Sequence, residues 1–116
     1  MPKEENLVTV LVQCYNHQSF LVEAIESIYE QIYRNFEVFV VDDGSSDASP
    51  EILKDLSRRF SFGLQCQKNK GVVATINEML SWAHGEFICI FSTDDIMMPH
   101  FLEEQVALLE READAG

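Results

Sequence analysis

Segments rich in β-branched and aromatic residues alternate with amphipathic segments along this chain, and this alternation restricts the possible folds more than any other feature. Four strands are predicted, at residues 7–13, 37–41, 63–67 and 86–91. Four helices are predicted after them, at residues 20–32, 50–60, 72–84 and 99–112, the second with Ser49 as its N-cap. Because the connections are short, the sequence predicts an α/β fold: a mostly parallel sheet with helices on both faces, in a three-layer α/β/α sandwich.

The predicted fourth strand, "EFICIF", is almost wholly apolar, yet it leads within a few residues to two adjacent aspartates. A strand without a polar side is predicted to be buried on both faces. Polar or aromatic side chains follow three of the predicted strands. Tyr15 and Asn16 follow the first, Asp42 and Asp43 follow the second, and Asp94 and Asp95 follow the fourth. Open parallel sheets bind ligands beyond the carboxyl ends of their strands. The sequence therefore predicts one site at that edge of the sheet.

The residue types at this edge indicate the class of ligand. A carboxylate of Asp42 or Asp43 can accept hydrogen bonds from a nucleobase or a ribose, and Tyr15 offers a flat face for stacking. Asp94 and Asp95 together can hold Mg²⁺ or Mn²⁺, and such a cation can in turn bind a diphosphate. Base, ribose, diphosphate and metal together describe a nucleoside-diphosphate compound.

Length and charge narrow the class of protein. The 116 residues are enough for one domain, residues 1–116, with a core of its own. The formal net charge of −12 argues against nucleic acid as a partner, because a phosphate backbone requires a basic surface. The sequence contains no apolar run long enough to span a membrane, and its first residues do not resemble a signal peptide. A cytoplasmic location is therefore expected, and membrane association of a full-length protein stays open.

Other interpretations of the acidic residues remain open at this stage. Asp42, Asp43 and Gly44 favour turns for purely conformational reasons, and "DDGSSD" lacks the ligand spacing of an EF-hand. A phosphate-accepting receiver domain would carry its acidic pair after the first strand and a lysine at a late strand end. This sequence has neither, because its first strand ends in Gln13, Cys14 and Tyr15 and no lysine follows Asp95. A turn role and a ligand site are therefore the two interpretations to compare.

Two long stretches also resemble a known family. "VTVLVQCYNHQSFLVEAIESIYEQIYRNFEVFVVDDGSSD" and "NKGVVATINEMLSWAHGEFICIFSTDD" are similar, in order and spacing, to the N-terminal nucleotide-binding half of a family 2 glycosyltransferase. The resemblance runs from Val8 to about Leu109 and implies the GT-A fold, whose nucleotide-binding half is Rossmann-like. It also implies an inverting transfer of sugar from a nucleoside-diphosphate donor, with UDP-sugar expected, to a saccharide or lipid-linked acceptor such as those of cell-envelope polysaccharides.

The resemblance assigns roles to individual residues. Tyr15 is expected to stack on the base, Asp42 to hydrogen-bond it, and Asp43 to lie near base or ribose. Asp94 is expected to contact ribose and metal, and Asp95 to be the main ligand of Mg²⁺ or Mn²⁺. The catalytic base of the family lies well after the acidic motif, so it is expected beyond Gly116.

Two departures from the family pattern affect this expectation. Ser92 stands where many members have aspartate, and Ile76 stands where many have arginine, so Lys70 is expected to supply the phosphate contact instead. With the acceptor half missing, the chain is expected to be inactive alone and to form a homo-oligomer through the sheet surface that this half would cover. A non-catalytic nucleotide-sugar-binding or assembly domain is the alternative function.

Overall fold

The computed structural model describes residues 3–115 and confirms the predicted alternation of strands and helices. The strands are β1 (Glu4–Cys14), β2 (Phe36–Asp43), β3 (Gly63–Gln67) and β4 (Gly85–Ser92). The helices are α1 (Leu21–Tyr29), α2 (Ser49–Arg59), α3 (Val72–Leu80) and α4 (Phe101–Ala115). Within these residues, no helix combines the length and the apolar composition needed to cross a bilayer.

The four strands form one parallel sheet in the order β3-β2-β1-β4. At its carboxyl edge, Gln13 of β1 lies opposite Val41 of β2 and Ser92 of β4. Asp43, at the end of β2, lies opposite Gln67 at the end of β3. All four strands therefore end side by side, and the loops that follow them share one edge of the sheet, as expected of such a fold.

Helices cover the sheet on both faces, which confirms the three-layer architecture. On one face, fully buried side chains of α1, α2 and α4 pack against alternate residues of β1 and β2, and these side chains include Leu21, Ile25, Ile28, Leu53 and Leu102. On the other face, Met79 of α3 packs against Leu11 and Val41. Because side chains alternate along a strand, neighbouring residues at the strand ends face different helix layers.

Helices α1 and α3 end three or four residues earlier than the periodicity predicts. After α1, the buried Gln31 leaves the helix to bind the loop before α4: its amide nitrogen donates to the Met98 carbonyl at 2.6 Å, and its Oε1 accepts from the Leu102 N–H at 3.0 Å. After α3, the Ser81 hydroxyl donates to the Glu78 carbonyl at 2.6 Å in a tight turn. Apolar spacing alone does not predict where these helices end, since Ile32 and Trp82 continue the helical pattern.

The expected N-cap role of Ser49 is wrong, because α2 begins at Ser49 itself. The Oδ1 of Asp47, two residues upstream, accepts the Ser49 N–H at 2.9 Å and satisfies one of the free amides at this helix end. Proline at the second helical position, Pro50, fits because its nitrogen would have no intrahelical acceptor.

The prediction that β4 is buried on both faces is also wrong. β4 is an edge strand, and α3 packs on β1 and β2 without covering it. Ile88 and Ile90, which point to the α3 side, are 39% and 52% exposed. A groove of about 210 Å³ lies beside the strand, between β4 and Phe101, Leu102 and Val106 of α4. The exposed edge and isoleucines of β4 are called the β4 face below.

We expect the isolated chain to self-associate through the β4 face. An unpaired strand edge beside exposed isoleucines offers both backbone hydrogen bonds and apolar area to a second copy. Light scattering over a concentration series should show a dimer, and Ile90→Lys should shift it to monomer, because a charge there opposes edge pairing. Leu108→Lys, on the 44% exposed Leu108 of α4, is the matched control. A monodisperse monomer at high concentration would contradict this prediction.

Candidate functional site

A pocket of about 260 Å³ opens at the carboxyl edge of the sheet, on the side of α3. We call it the strand-end pocket. It is lined by Gln13, Cys14, Tyr15, His17, Asp43, Asn69, Gly71, Val72 and Ser92. Residues from the ends of β1, β2 and β4 and from the loop before α3 thus meet here, as the sequence predicts. Of the predicted site residues, the pocket contains Tyr15 and Asp43.

Asp43 is the central polar group of the strand-end pocket. It is 6% exposed, and its carboxylate accepts three hydrogen bonds from the β3–α3 segment. Oδ1 accepts from the Lys70 backbone N–H at 2.8 Å and from the Gln67 side-chain amide at 3.1 Å, and Oδ2 accepts from the Gly71 N–H at 3.1 Å. The carboxylate therefore fixes the "NKG" turn against the end of β2.

These contacts set the ionisation of Asp43. Burial raises its carboxyl pKa, but the hydrogen bonds from Lys70, Gln67 and Gly71 outweigh burial and hold the pKa below its usual value. The group is therefore an anion at neutral pH. An anionic acceptor on the wall of a pocket is suited to a ligand that presents N–H or O–H donors.

Asp42 faces the other way, toward a separate open pocket at the same edge of the sheet, which Ser45 and Pro50 also line. Its side chain lies on the α1–α2 side of the sheet, is 1% exposed and is absent from the lining of the strand-end pocket. Its Oδ2 accepts the Ser45 N–H at 3.0 Å and its Oδ1 accepts the Ser45 hydroxyl at 2.5 Å. The turn interpretation thus accounts for these bonds of Asp42, and its expected contact with a base stays a prediction, while Asp43 lines the pocket that contains Tyr15.

The side chain of Lys70 also lies outside the pocket. Its ammonium group pairs with the Glu78 carboxylate of α3 at 2.7 Å. The Lys70 contact with the site is made by its backbone N–H on Asp43. A phosphate contact by Lys70, as the resemblance suggests, requires the ion pair with Glu78 to open.

The loop after β1 is tied to the loop after β2 by the side chain of Asn16. Asn16 has a left-handed backbone, with φ of 55°, which asparagine tolerates better than most residues. Its Oδ1 accepts the Ser46 N–H at 2.8 Å, and its own N–H donates to the Ser45 hydroxyl at 2.8 Å. The neighbouring Tyr15 remains 49% exposed on the pocket wall. The tied loops thus leave about half of the Tyr15 side chain accessible beside the pocket.

Gly44 allows the β2–α2 loop to pass close to the "NKG" turn. Its φ is +80°, and a Cβ at this position would lie 2.6 Å from the backbone nitrogen of Asn69. The Asn69 side chain in turn donates to the Asp43 carbonyl at 3.1 Å. The glycine is therefore required for the two loops to close around Asp43, and not only for the turn itself.

The acidic pair follows β4 in an exposed turn, in which the Asp95 N–H donates to the Ser92 carbonyl at 3.1 Å. The Asp94 side chain is 57% exposed and lies 3.9 Å from the Nε2 of His17, a residue of the pocket lining. The Oδ1 of Asp95 accepts the N–H of Ile96 at 2.8 Å. The pair thus lies beside the pocket, with Asp94 on its His17 side.

The donor chemistry of this turn fits a hard divalent cation that is shared with a ligand. Within residues 3–115, no three His, Cys, Asp or Glu side chains converge as a metal-binding group. Mg²⁺ and Mn²⁺ are commonly held by one or two carboxylates, with phosphate oxygens and water completing the shell. Two exposed, adjacent carboxylates, Asp94 and Asp95, match this arrangement and predict that the protein alone binds metal weakly.

Sequence reasoning missed three residues that shape this site. Gln67 and Thr93 are buried or half-buried hydrogen-bonding partners, of Asp43 and of His17 respectively. His17 lines the pocket, although the sequence pattern assigns it no role. Its position directly after Tyr15 and Asn16, in the loop after β1, is the signal that could have identified it.

A family model described as "Glycosyl transferase family 2" matches residues 9–116. Curated relatives include glycosyltransferase GlyG of Streptococcus pneumoniae, 39% identical over 113 residues that make up 93% of this chain and 37% of GlyG. An uncharacterized glycosyltransferase of Haemophilus influenzae is 32% identical over 90% of this chain and 33% of that protein. The chain thus spans about a third of the length of such relatives.

Solved structures give the same answer for the fold. Residues 1–349 of Staphylococcus aureus TarS in complex with UDP-GlcNAc match 90% of this chain and 31% of that one, with a TM-score of 0.78 and 28% identity. The mannosyltransferase PcManGT of Pyrobaculum calidifontis, in complex with GDP-Man and Mn²⁺, matches 77% of this chain and 28% of its own, with a TM-score of 0.70 and 30% identity.

These matches confirm the expected GT-A fold. The family model covers both quoted stretches of resemblance except Val8, and it covers the whole strand-end pocket. The chain belongs to glycosyltransferase family 2, a family of sugar-transferring enzymes.

Proposed function

We propose that this chain binds the nucleotide part of a nucleoside-diphosphate sugar, with UDP-sugar as the donor class, in the strand-end pocket. The observation that carries the proposal is the pairing of a half-exposed aromatic side chain, Tyr15, with a buried anionic acceptor, Asp43, in one pocket. A nucleobase matches both, since its face can stack and its imide N–H can donate. Structural relatives with UDP-GlcNAc and with GDP-Man support nucleotide-sugar binding in general.

Within this proposal, each predicted residue has a defined task. Tyr15 stacks on the base, and Asp43, rather than Asp42, accepts its imide hydrogen. Asp42 contributes indirectly. Its bonds to Ser45 shape the loop after β2, and Asn16 ties this loop to the loop that carries Tyr15. Asp94 lies at the ribose and diphosphate side, next to the pocket.

Asp95 and Asp94 are proposed to hold Mg²⁺ or Mn²⁺ together with the diphosphate. A relative in complex with Mn²⁺ supports a divalent ion, and either metal fits the carboxylate pair. When bound, the ion would supply charge stabilisation to the diphosphate leaving group. The carboxylates of this chain orient the ion and offset its charge, and Ser92 contributes a hydroxyl where many family members have a third carboxylate.

Within this proposal, transfer of the sugar requires a protein as long as the relatives. An inverting transfer needs a general base that deprotonates the acceptor hydroxyl as it attacks the sugar. We assign donor binding to this chain. The base and the acceptor site, for a saccharide or lipid-linked acceptor, are expected in the two-thirds of the relatives that the chain does not match. Bacterial relatives are compatible with an acceptor of the cell-envelope type.

Calorimetric titration of UDP tests the proposal. We expect UDP to bind in Mn²⁺ and to bind more weakly in chelator, because the diphosphate then loses its link to the acidic pair. GDP, with the same diphosphate and a larger base, is the matched control for the base pocket and should bind more weakly than UDP. If neither nucleotide binds with or without metal, the donor-binding proposal is refuted for this chain.

The non-catalytic alternative is favoured by one observation: the pocket presents the hydroxyl of Ser92 rather than a carboxylate. A binding module that has lost its chemistry would hold UDP through Tyr15 and Asp43 alone. It would then bind UDP equally in Mn²⁺ and in chelator. The same titration therefore separates the two functions.

A further inference from the structure

His17 connects the strand-end pocket to the acidic turn after β4. Its ring is half-buried, with 23% of the side chain exposed, and it is part of the pocket lining. Nδ1 lies 2.9 Å from the hydroxyl of Thr93, and Nε2 lies 3.9 Å from Oδ2 of Asp94. The two ring nitrogens thus face two successive residues of the acidic turn. The ring also lies in a T-shaped arrangement with that of Phe20, with centroids 6.4 Å apart.

The hydrogen-bonding partners favour one arrangement of the ring proton. Thr93 is fully buried, and its hydroxyl is closer to Nδ1 of His17 than to the Gln13 carbonyl, at 2.9 Å against 3.4 Å. Either ring tautomer fits the Thr93 contact, so the Asp94 carboxylate decides between them: with the ring proton on Nε2, the Thr93 hydroxyl donates to Nδ1. The Nε2–H then faces the carboxylate of Asp94, whereas a lone pair there would be repelled.

The surroundings give His17 a role that no neighbouring basic residue fills. Of the residues that line the strand-end pocket, His17 is the one with a basic side chain. Ile76 occupies the position where the family often has arginine, and the ammonium group of Lys70 is paired with Glu78. Asp94 itself is 57% exposed, so without a neighbour its side chain would sample several rotamers.

We propose that His17 is a positioning residue: its Nδ1 is anchored on Thr93, and its Nε2–H attracts the carboxylate of Asp94 across 3.9 Å and so favours the orientation that receives the donor nucleotide. This inference rests on the proposed function, because it concerns the same site. Outer partners of this kind orient carboxylates that contact a metal or substrate, and their loss commonly weakens binding about tenfold to hundredfold.

Paired amide substitutions separate the two ends of the ring. The terminal nitrogen of glutamine reaches approximately the place of Nε2, whereas that of asparagine reaches the place of Nδ1. In the UDP titration with Mn²⁺, His17→Ala should lose on the order of tenfold in affinity. His17→Gln should recover most of the loss, and His17→Asn should not. Recovery by asparagine alone would overturn the proposal, since only the anchor on Thr93 would then matter.

A double-mutant cycle tests whether His17 acts through Asp94. In an Asp94→Ala background, His17→Ala should have no further effect on UDP affinity, because the carboxylate that it positions is gone. A loss in that background as large as in the wild type would overturn the proposal and indicate a direct contact with the nucleotide. Unchanged thermal unfolding of each variant shows that the fold is retained.

Ring tautomer provides a readout that does not depend on UDP. Long-range ¹H–¹⁵N spectra of the free chain, at a pH where the ring is neutral, should show the proton of His17 on Nε2, and Asp94→Ala should shift that nitrogen. A proton on Nδ1 would overturn the inference. Absence of UDP binding by the wild type would refute the proposed function, and these spectra would still decide the orientation of His17 toward Asp94.

Discussion

Asp43→Ala is expected to abolish measurable UDP binding and to lower the free energy of unfolding by about 3 kcal/mol, the scale of hydrogen bonds to a charged group. The carboxylate is the proposed acceptor for the base, and it also receives the N–H groups of Lys70 and Gly71 and the amide of Gln67. Removing it leaves these donors without their partner and releases the "NKG" turn. Calorimetry with UDP and chemical denaturation measure the two effects.

Two further aspartate variants serve as controls. Asp55→Ala makes the same chemical change on the surface of α2, where the side chain is 77% exposed, and it should leave both UDP binding and stability unchanged. Asp42→Ala should destabilise the chain through the loss of its bonds to Ser45 and retain a measurable affinity for UDP. Normal UDP binding by Asp43→Ala, with none by Asp42→Ala, would reverse the assignment within this pair.

The same carboxylate predicts the direction of a pH effect on stability. Its pKa is lowered in the folded chain, so the Asp43 contribution is fully present above the pKa of the unfolded state, near 3.8. It is lost as the pH falls through the lower, folded pKa. Wild-type unfolding free energy should therefore fall more steeply on acidification than that of Asp43→Asn, as followed by urea denaturation between pH 6 and roughly pH 3. Parallel curves would contradict this.

The sequence predicts the architecture well because its signals are local. Each strand is a short β-rich run, each helix has a single apolar stripe, and the connections leave room for little besides a parallel sheet. The position of the site follows from the same pattern, since residues after parallel strands share one edge. Tyr15, Asp43 and the acidic pair are therefore found at the predicted edge.

What the sequence does not predict depends on strand order and side-chain direction. The apolar run of β4 is compatible with a central or an edge strand, and only the order β3-β2-β1-β4 explains the exposure of Ile88 and Ile90. Asp42 and Asp43 are equivalent as a motif, yet adjacent strand residues face opposite sides. Applying this alternation to the end of β2 would have shown that one of the pair must leave the pocket.

The roles of Lys70 and His17 lie beyond sequence reasoning for a different reason. Both are basic residues near the site, and the flexible side chain of Lys70 can reach several partners. The structure pairs it with Glu78, at 2.7 Å, while the shorter His17 lies between Thr93 and Asp94. Competition between nearby partners decides such contacts, and residue spacing carries no information about it.

Asp95→Ala is expected to remove the metal-dependent part of UDP affinity and nothing else. Asp95 is exposed, and its carboxylate makes one hydrogen bond, to the Ile96 N–H, so the fold should tolerate its loss. UDP should bind to this variant with the same dissociation constant in Mn²⁺ as in chelator, at least about tenfold more weakly than to the wild type in Mn²⁺. Ser92→Asp, which restores the carboxylate common in the family, should act in the opposite direction and tighten UDP binding in Mn²⁺.

Comparison with Asp94→Ala makes this last prediction specific. If Asp95 is the main ligand and Asp94 meets both ribose and metal, then Asp94→Ala should weaken UDP binding in chelator as well as in Mn²⁺. Asp95→Ala should leave the affinity in chelator at its wild-type value, because the ribose contact is intact. A variant pair with the reverse behaviour would move the ligand role to Asp94. Mn²⁺ dependence that survives both substitutions would place the metal away from this turn, and the acidic pair would then be a turn feature like Asp42.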